Sequence, residues 1–268
     1  MPNVNVHGIQ LHYEVTGEGQ PLVFLHGYTG STRDWDAQVL RLAKNYQTIA
    51  VDHRGQGKSE APPMEEDYAI PLFSEDVYAL LNLLGIKSCC LIGHSMGGFI
   101  ALQFALDHPE MVNALALVDT SSGEWETVPG YSELRAKLDE LAQNQGLLAA
   151  FEYDAANNPA RIERFKKHPE QREIAKKKVM NTSVAGYVYA ARSFGKWQPV
   201  TRRLGEIKVP CLIFLGEEDV AFYKACAILN HGIRDSRLIK VPGTGHSPHE
   251  EAPEFFNEKL EAFLKTVF

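Results

Sequence analysis

Residues 89–97 read Cys-Cys-Leu-Ile-Gly-His-Ser-Met-Gly, an apolar run that passes into Gly93-His94-Ser95-Met96-Gly97 and then into a helical pattern from about Met96 to His108, stopped by Pro109. A Gly-x-Ser-x-Gly pentapeptide alone arises by chance in about one chain in ten of this length. Its setting is more informative. A buried strand before it and a helix after it describe a tight turn that lifts the serine oxygen above a sheet. Such a reversal strains the backbone at the serine and leaves no room for side chains beside it, which accounts for Gly93 and Gly97. The following helix start offers the Met96 amide and a positive dipole end to any charge that develops on a carbonyl attacked by Ser95.

Further apolar runs lie on either side, at 22–26 (LVFLH), 48–51 (TIAV), 114–118 (ALALV), 211–215 (CLIFL) and 237–241 (RLIKV), and most are apolar at every position. Strands covered by helices on both faces of a parallel sheet read this way. Residues 4–15 instead partly alternate and are broken by Gly8, predicting two short antiparallel strands at a sheet edge. Helical signals fall between the runs. Ser31 and Asp34 have capping-box spacing, Ser74 with Glu75 and Asp76 opens a segment that Gly85 closes, and a last helix starts near Pro253 with Phe256, Leu260, Phe263 and Leu264 facing inward. The expected fold class is α/β, a mostly parallel central sheet flanked by helices.

The alternation stops between Ser121 and Leu204, where no strand-like run occurs. The reading is a core of residues 1–120 and 205–268 with a helical cap inserted at 121–204. The cap holds 14 Lys and Arg against 10 Asp and Glu, near +4, which leaves about -11 of the chain's -7 total on the remainder. Its basic clusters, Lys166, Lys167 and Lys176 to Lys178, are expected to form a solvated helix face. Its aromatics Trp125, Tyr131, Phe151, Tyr187 and Trp197 either wall an apolar substrate pocket or simply pack.

A serine nucleophile needs a base, normally a neutral histidine that a carboxylate holds in one tautomer. Of ten histidines, His246 stands in Gly243-Thr244-Gly245-His246-Ser247, a loop just past the run ending at Val241; His249 is its nearest rival. The carboxylate is assigned to Asp219, in the turn Gly216-Glu217-Glu218-Asp219 after the run at 211–215. The glycine-rich loop His26-Gly27-Tyr28-Thr29-Gly30 follows another strand end, where ligands bind in open α/β sheets, and the Tyr28 amide is assigned with that of Met96 to an oxyanion hole. A base that must be neutral predicts activity rising with pH through about 6.5.

Four motifs together, His26-Gly27 with its loop, Asp52-His53-Arg54-Gly55-Gln56-Gly57-Lys58-Ser59, the Gly93 to Gly98 elbow, and the Asp219 and His246 loops in that order, resemble the α/β-hydrolase-fold serine hydrolases over nearly the whole chain apart from the cap. The resemblance implies carboxylic-ester hydrolysis without a cofactor or metal, and a structural role for the Asp52 to Ser59 segment. Serine at 95 argues against the aspartate-dependent haloalkane dehalogenases and epoxide hydrolases of this fold. Ser247, Pro248 and His249 stand where carbon–carbon bond hydrolases often carry tryptophan, and Phe99 stands where the menaquinone-pathway synthase usually carries arginine. Lactonase and carbon–carbon hydrolase activity, or a receptor that keeps the fold to sense a small ligand, are the alternatives.

Composition supports a small-molecule substrate. Hydrophobic residues at 44% and charged residues at 23% are ordinary for a globular chain of 268 residues. The net charge of -7 argues against a nucleic-acid or anionic-membrane partner. No basic leader with an apolar core opens the sequence and no apolar stretch of membrane-spanning length occurs, so a cytoplasmic location is expected. Cys89, Cys90, Cys211 and Cys226 lack metal or redox spacing and are read as buried thiols.

Overall fold

In the computed structural model, which describes residues 2–124 and 130–268, the apolar runs form strands of one sheet. The strands are β1 (Asn3–Val6), β2 (Ile9–Thr16), β3 (Pro21–Leu25), β4 (Gln47–Val51), β5 (Cys89–His94), β6 (Val112–Val118), β7 (Cys211–Gly216) and β8 (Ser236–Val241). Their order is β1-β2-β4-β3-β5-β6-β7-β8. β1 and β2 pair antiparallel, and β2 joins β4 antiparallel, while β4, β3, β5, β6, β7 and β8 are parallel.

Period-two alternation explains why the central runs are apolar throughout. In β3, Val23 and Leu25 enter one core cluster and Leu22 and Phe24 the other; in β7, Ile213 and Leu215 oppose Leu212 and Phe214 in the same manner. One face is covered by α2 (Ile70–Leu83), α3 (Met96–Asp107) and α9 (Tyr223–Gly232), the other by α1 (Asp36–Leu42) and α11 (Pro253–Val267). Phe256, Leu260 and Leu264 of α11 are fully buried, and Phe263 packs beside them half-buried. Each large apolar side chain so enclosed contributes about 1.5–3 kcal/mol. β8 is covered more thinly, and Arg237 and Lys240 are exposed along it.

Two local expectations need correction. α2 starts at Ile70, with Pro71 in its first turn, and Ser74 is fully buried inside the helix rather than capping it. Proline's fixed φ and missing N–H suit the first turn, where that donor has no partner anyway. Gly85 does end the helix, at φ +72°. Ser31 caps a 3₁₀ turn at Thr32–Trp35, accepting from the Arg33 amide at 3.3 Å, and α1 follows it.

Between β6 and β7 the described residues contain no strand. They form α4 (Tyr131–Gln145), α5 (Leu147–Asn157), α6 (Pro159–Lys167), α7 (Glu170–Met180) and α8 (Val184–Lys196), around a small core of their own that includes Leu138, Leu141, Ala150, Phe151, Val179 and Val188. Ser183, which caps α8, bonds the Gly55 carbonyl through its amide at 3.0 Å and its hydroxyl at 2.8 Å. Lys178 corrects the solvated-face expectation: its ammonium lies between Asp34, at 2.9 Å, and Glu250, at 2.6 Å, tying α7 to the 3₁₀ turn before α1 and to the segment after β8. Lys167 likewise pairs with Glu218.

Candidate active site

β5 ends in an abrupt turn at Ser95, whose φ of +50° and ψ of -114° are strained for a residue with a side chain. The neighbouring glycines are required by space. A Cβ on Gly97 would stand 2.1 Å from the Leu25 carbonyl oxygen, and one on Gly93 would stand 2.3 Å from that of Gly97. The Ser95 amide donates to the Val118 carbonyl at 2.9 Å and its carbonyl accepts from the Thr120 hydroxyl at 2.7 Å, so the strain is held from β6.

The loops after β7 and β8 bring Asp219 and His246 to this turn. His246 Nε2 lies 3.0 Å from Ser95 Oγ, and its Nδ1 lies 2.6 Å from Asp219 Oδ2. A carboxylate at Nδ1 keeps the proton there and leaves Nε2 as an acceptor toward the serine hydroxyl. The His246 ring is 41% exposed and Asp219 12%, so the row opens to solvent on the imidazole side. The Phe222 ring lies against His246 at 4.8 Å between centroids.

The amides of Tyr28 and Met96 donate to no other protein group among the described residues. Met96 begins α3, where a helix has no carbonyl one turn earlier to receive its N–H. Tyr28 follows β3, and its hydroxyl reaches the Tyr187 carbonyl on α8 at 2.5 Å. Phe194 of α8 meets Tyr28 at 5.6 Å and Phe99 at 5.8 Å, and Phe99 stacks on Trp197 at 5.2 Å. Phe99 and Trp197 are buried in the core cluster, and Tyr28 and Phe194 pack against it. Of the other aromatics named from sequence, Tyr187 packs against Tyr28, Phe151 sits within the helical segment's own core, Tyr131 is 37% exposed, and Trp125 lies outside the described residues.

Asp119, at the carboxyl end of β6, escaped the sequence reading. It is fully buried at φ +41°, accepts from the Gly216 amide at 3.0 Å, and lies with Asp219 and His246 so that one ligand atom of each falls within 4.8 Å of the others. Burial, and then the adjacent Asp219 charge, push its carboxyl well above the usual carboxylate range, against the Gly216 amide that favours its charged form. The available signal was its place directly after an apolar run, the same signal that pointed to Asp219. These three side chains are the one group of such residues among those described with metal-ligating spacing, and His246 Nδ1 is already committed to Asp219.

Neutral histidines surround the site. His26 donates from Nδ1 to the Gly27 carbonyl at 2.7 Å and accepts the His53 amide at Nε2, and burial lowers its pKa to about 3. His94 donates from Nε2 to the His246 carbonyl at 2.6 Å, joining the serine turn to the histidine loop. His249 is fully buried, stacked 4.2 Å from Trp35, and neither ring nitrogen has a hydrogen-bond partner among the described residues. Burial, reinforced by Lys178 and His246, pushes its pKa well below the ordinary value, and it is His246 rather than His249 that meets Ser95 Oγ.

That depressed pKa has a measurable consequence. Below pH 6.5 the unfolded chain protonates residue 249 while the folded chain does not, so this group withdraws stability as the pH falls. His249→Phe should therefore gain on the wild type as the pH falls below 6.5, with about 1.4 kcal/mol per pH unit as the limiting slope, whatever its offset at pH 7. Urea unfolding of both proteins at pH 7, 6 and 5 measures the difference. A difference independent of pH would show that His249 titrates normally.

The model of the alpha/beta hydrolase fold family matches residues 20–253. The chain belongs to that family. This α/β hydrolase is 28% identical over 262 residues to an AB hydrolase superfamily protein of Bacillus subtilis, covering 95% of each chain. Among solved structures, a thermophilic esterase from Thermogutta terrifontis superposes with a TM-score of 0.86 at 26% identity, covering 100% of this chain and 99% of that one. Est816, described as an N-acyl homoserine lactone degrading enzyme, superposes with a TM-score of 0.81 at 28% identity, covering 98% and 100%. No described helix is long and apolar enough to cross a membrane.

Proposed function

We propose that this α/β hydrolase cleaves carboxylic esters of small molecules through an acyl-enzyme, with Ser95 as nucleophile, His246 as base and Asp219 as the group that orients the base. The observation that carries the reading is the hydrogen-bonded row from Ser95 Oγ through both ring nitrogens of His246 to Asp219. His246 Nε2 takes the hydroxyl proton as Oγ bonds to the ester carbonyl carbon. The resulting oxyanion rests on the Tyr28 and Met96 amides. Collapse breaks the bond to the alkoxy oxygen, which leaves with the proton held on Nε2. Water then adds to the acyl carbon and gives its proton to His246 Nε2; collapse breaks the bond to Ser95 Oγ, which takes that proton back as the acid leaves.

Lactones are esters closed on themselves and need the same groups, and the likeness to Est816 makes them part of the substrate panel. The test offers nitrophenyl esters of graded chain length, lactones and a vinylogous diketone, and follows covalent labelling by a fluorophosphonate. Labelling at Ser95 with turnover of an ester or lactone faster than the diketone is the expected result. A protein that neither labels nor turns over any ester would be a receptor, and the reading would fall.

A further inference from the structure

The loop that carries His246 is gripped from the helical segment. Glu251, the last residue of α10 (Pro248–Glu251), accepts the Gly245 amide at 2.8 Å through Oε2 and the Ser247 amide at 3.3 Å through Oε1, the residues on either side of His246. The same Oε2 receives Nη2 of Arg164, on α6, at 2.5 Å. Nη1 of Arg164 reaches Glu218 Oε2 at 3.3 Å, and Glu218 immediately precedes Asp219. The guanidinium also lies over Gly245, where a Cβ would come within 3.0 Å of its Cζ. One cation on α6 therefore bonds the carboxylates next to both the histidine and the aspartate.

We propose that Arg164 is a positioning residue for the hydrolytic reaction, holding the His246 and Asp219 loops in register with Ser95 through Glu251 and Glu218. The proposal rests on the reading of Ser95, His246 and Asp219 as the reacting groups. Arg164 is 20% and Glu251 11% exposed, so this pair is screened less than one at the surface. Glu218 has further partners in Lys167 and His168, which makes the Glu251 arm the more dependent on Arg164. Without Arg164, the Glu251 carboxylate keeps only the two amides and can turn away from them. The histidine loop then keeps the His94 bond to the His246 carbonyl and the Glu218 amide bond to the Thr244 carbonyl at 2.8 Å, but loses the fixed carboxylate that spans the two amides flanking His246. A displacement of about 1 Å at a reacting group costs on the order of a hundredfold in rate, while a substrate site not touched by Arg164 keeps its affinity.

The experiment compares Arg164→Ala, Arg164→Lys, Glu251→Gln and the Ala/Gln double variant by kcat and KM on a nitrophenyl ester, by fluorophosphonate labelling rate and by Tm. Arg164→Ala should lower kcat and the labelling rate together by about 10- to 100-fold, with KM within about threefold. Arg164→Lys should restore part of the loss, and the double variant should be no slower than the slower single one. Unchanged kcat in Arg164→Ala, a rise in KM alone, or losses that multiply in the double variant would each overturn the proposal. If Arg164→Ala fails to fold, Arg164→Lys and Glu251→Gln carry the same comparison. A wild type that does not label indicts the reading of Ser95 instead, whereas a wild type that labels beside an unaffected Arg164→Ala indicts only the grip.

Discussion

Ser95→Ala should lower kcat on a nitrophenyl ester by about a million-fold, the scale seen when the nucleophile of other serine triads is removed. The size follows from what remains. Alanine leaves in place the amides of Tyr28 and Met96, the donors proposed for the ester carbonyl. No atom then stands 3.0 Å from His246 Nε2 to form the acyl bond, and water must attack unaided. The substitution is small and occurs where φ is +50°, a strain that alanine relieves no better than serine, so the fold should persist. Circular dichroism checks the fold and fluorophosphonate labelling checks the site. Retention of a tenth of wild-type turnover would show that Ser95 is not the nucleophile.

Asp219→Asn should cost roughly ten-thousand-fold in kcat, with KM little changed. The carboxylate accepts the Nδ1 proton at 2.6 Å, which leaves Nε2 bare toward Ser95. Asparagine can present its N–H₂ to Nδ1 instead, moving the ring proton to Nε2, where it blocks acceptance of the serine proton. Burial disfavours charge on the nearby Asp119 and so opposes its taking over the missing carboxylate's part. The variant is measured beside Asp119→Asn. If Asp219→Asn kept a tenth of the activity and the double variant lost it, the orienting role would belong to Asp119.

The sheet was legible because burial on both faces leaves an unmistakable mark: Leu22 to Leu25 and Leu212 to Leu215 have no polar residue for a helix or turn to claim. The glycines of the elbow were legible for a related reason, since Gly93 and Gly97 face backbone oxygens at distances that exclude any side chain. Ser74 misled because a serine before acidic residues looks the same whether it caps a helix or lies one turn inside it. Asp119 was passed over because the reading sought one acid and found it at Asp219. Arg164 and Lys178 could not be placed from sequence at all. Their partners, Glu251 and Glu250, lie 87 and 72 positions away, and no local periodicity encodes a meeting across that separation.

The proposed site draws on strand ends spread from β3, which precedes Tyr28, to β8, which precedes His246, so no fragment of the sheet can hold it. Enzyme activity is for this reason a stringent reporter of chain integrity: a nick, a frayed carboxyl-terminal third or a half-formed folding intermediate would be silent even where most secondary structure survived. Recovery of turnover during refolding should accordingly trail the recovery of helical ellipticity, and the lag would time the last strand's arrival.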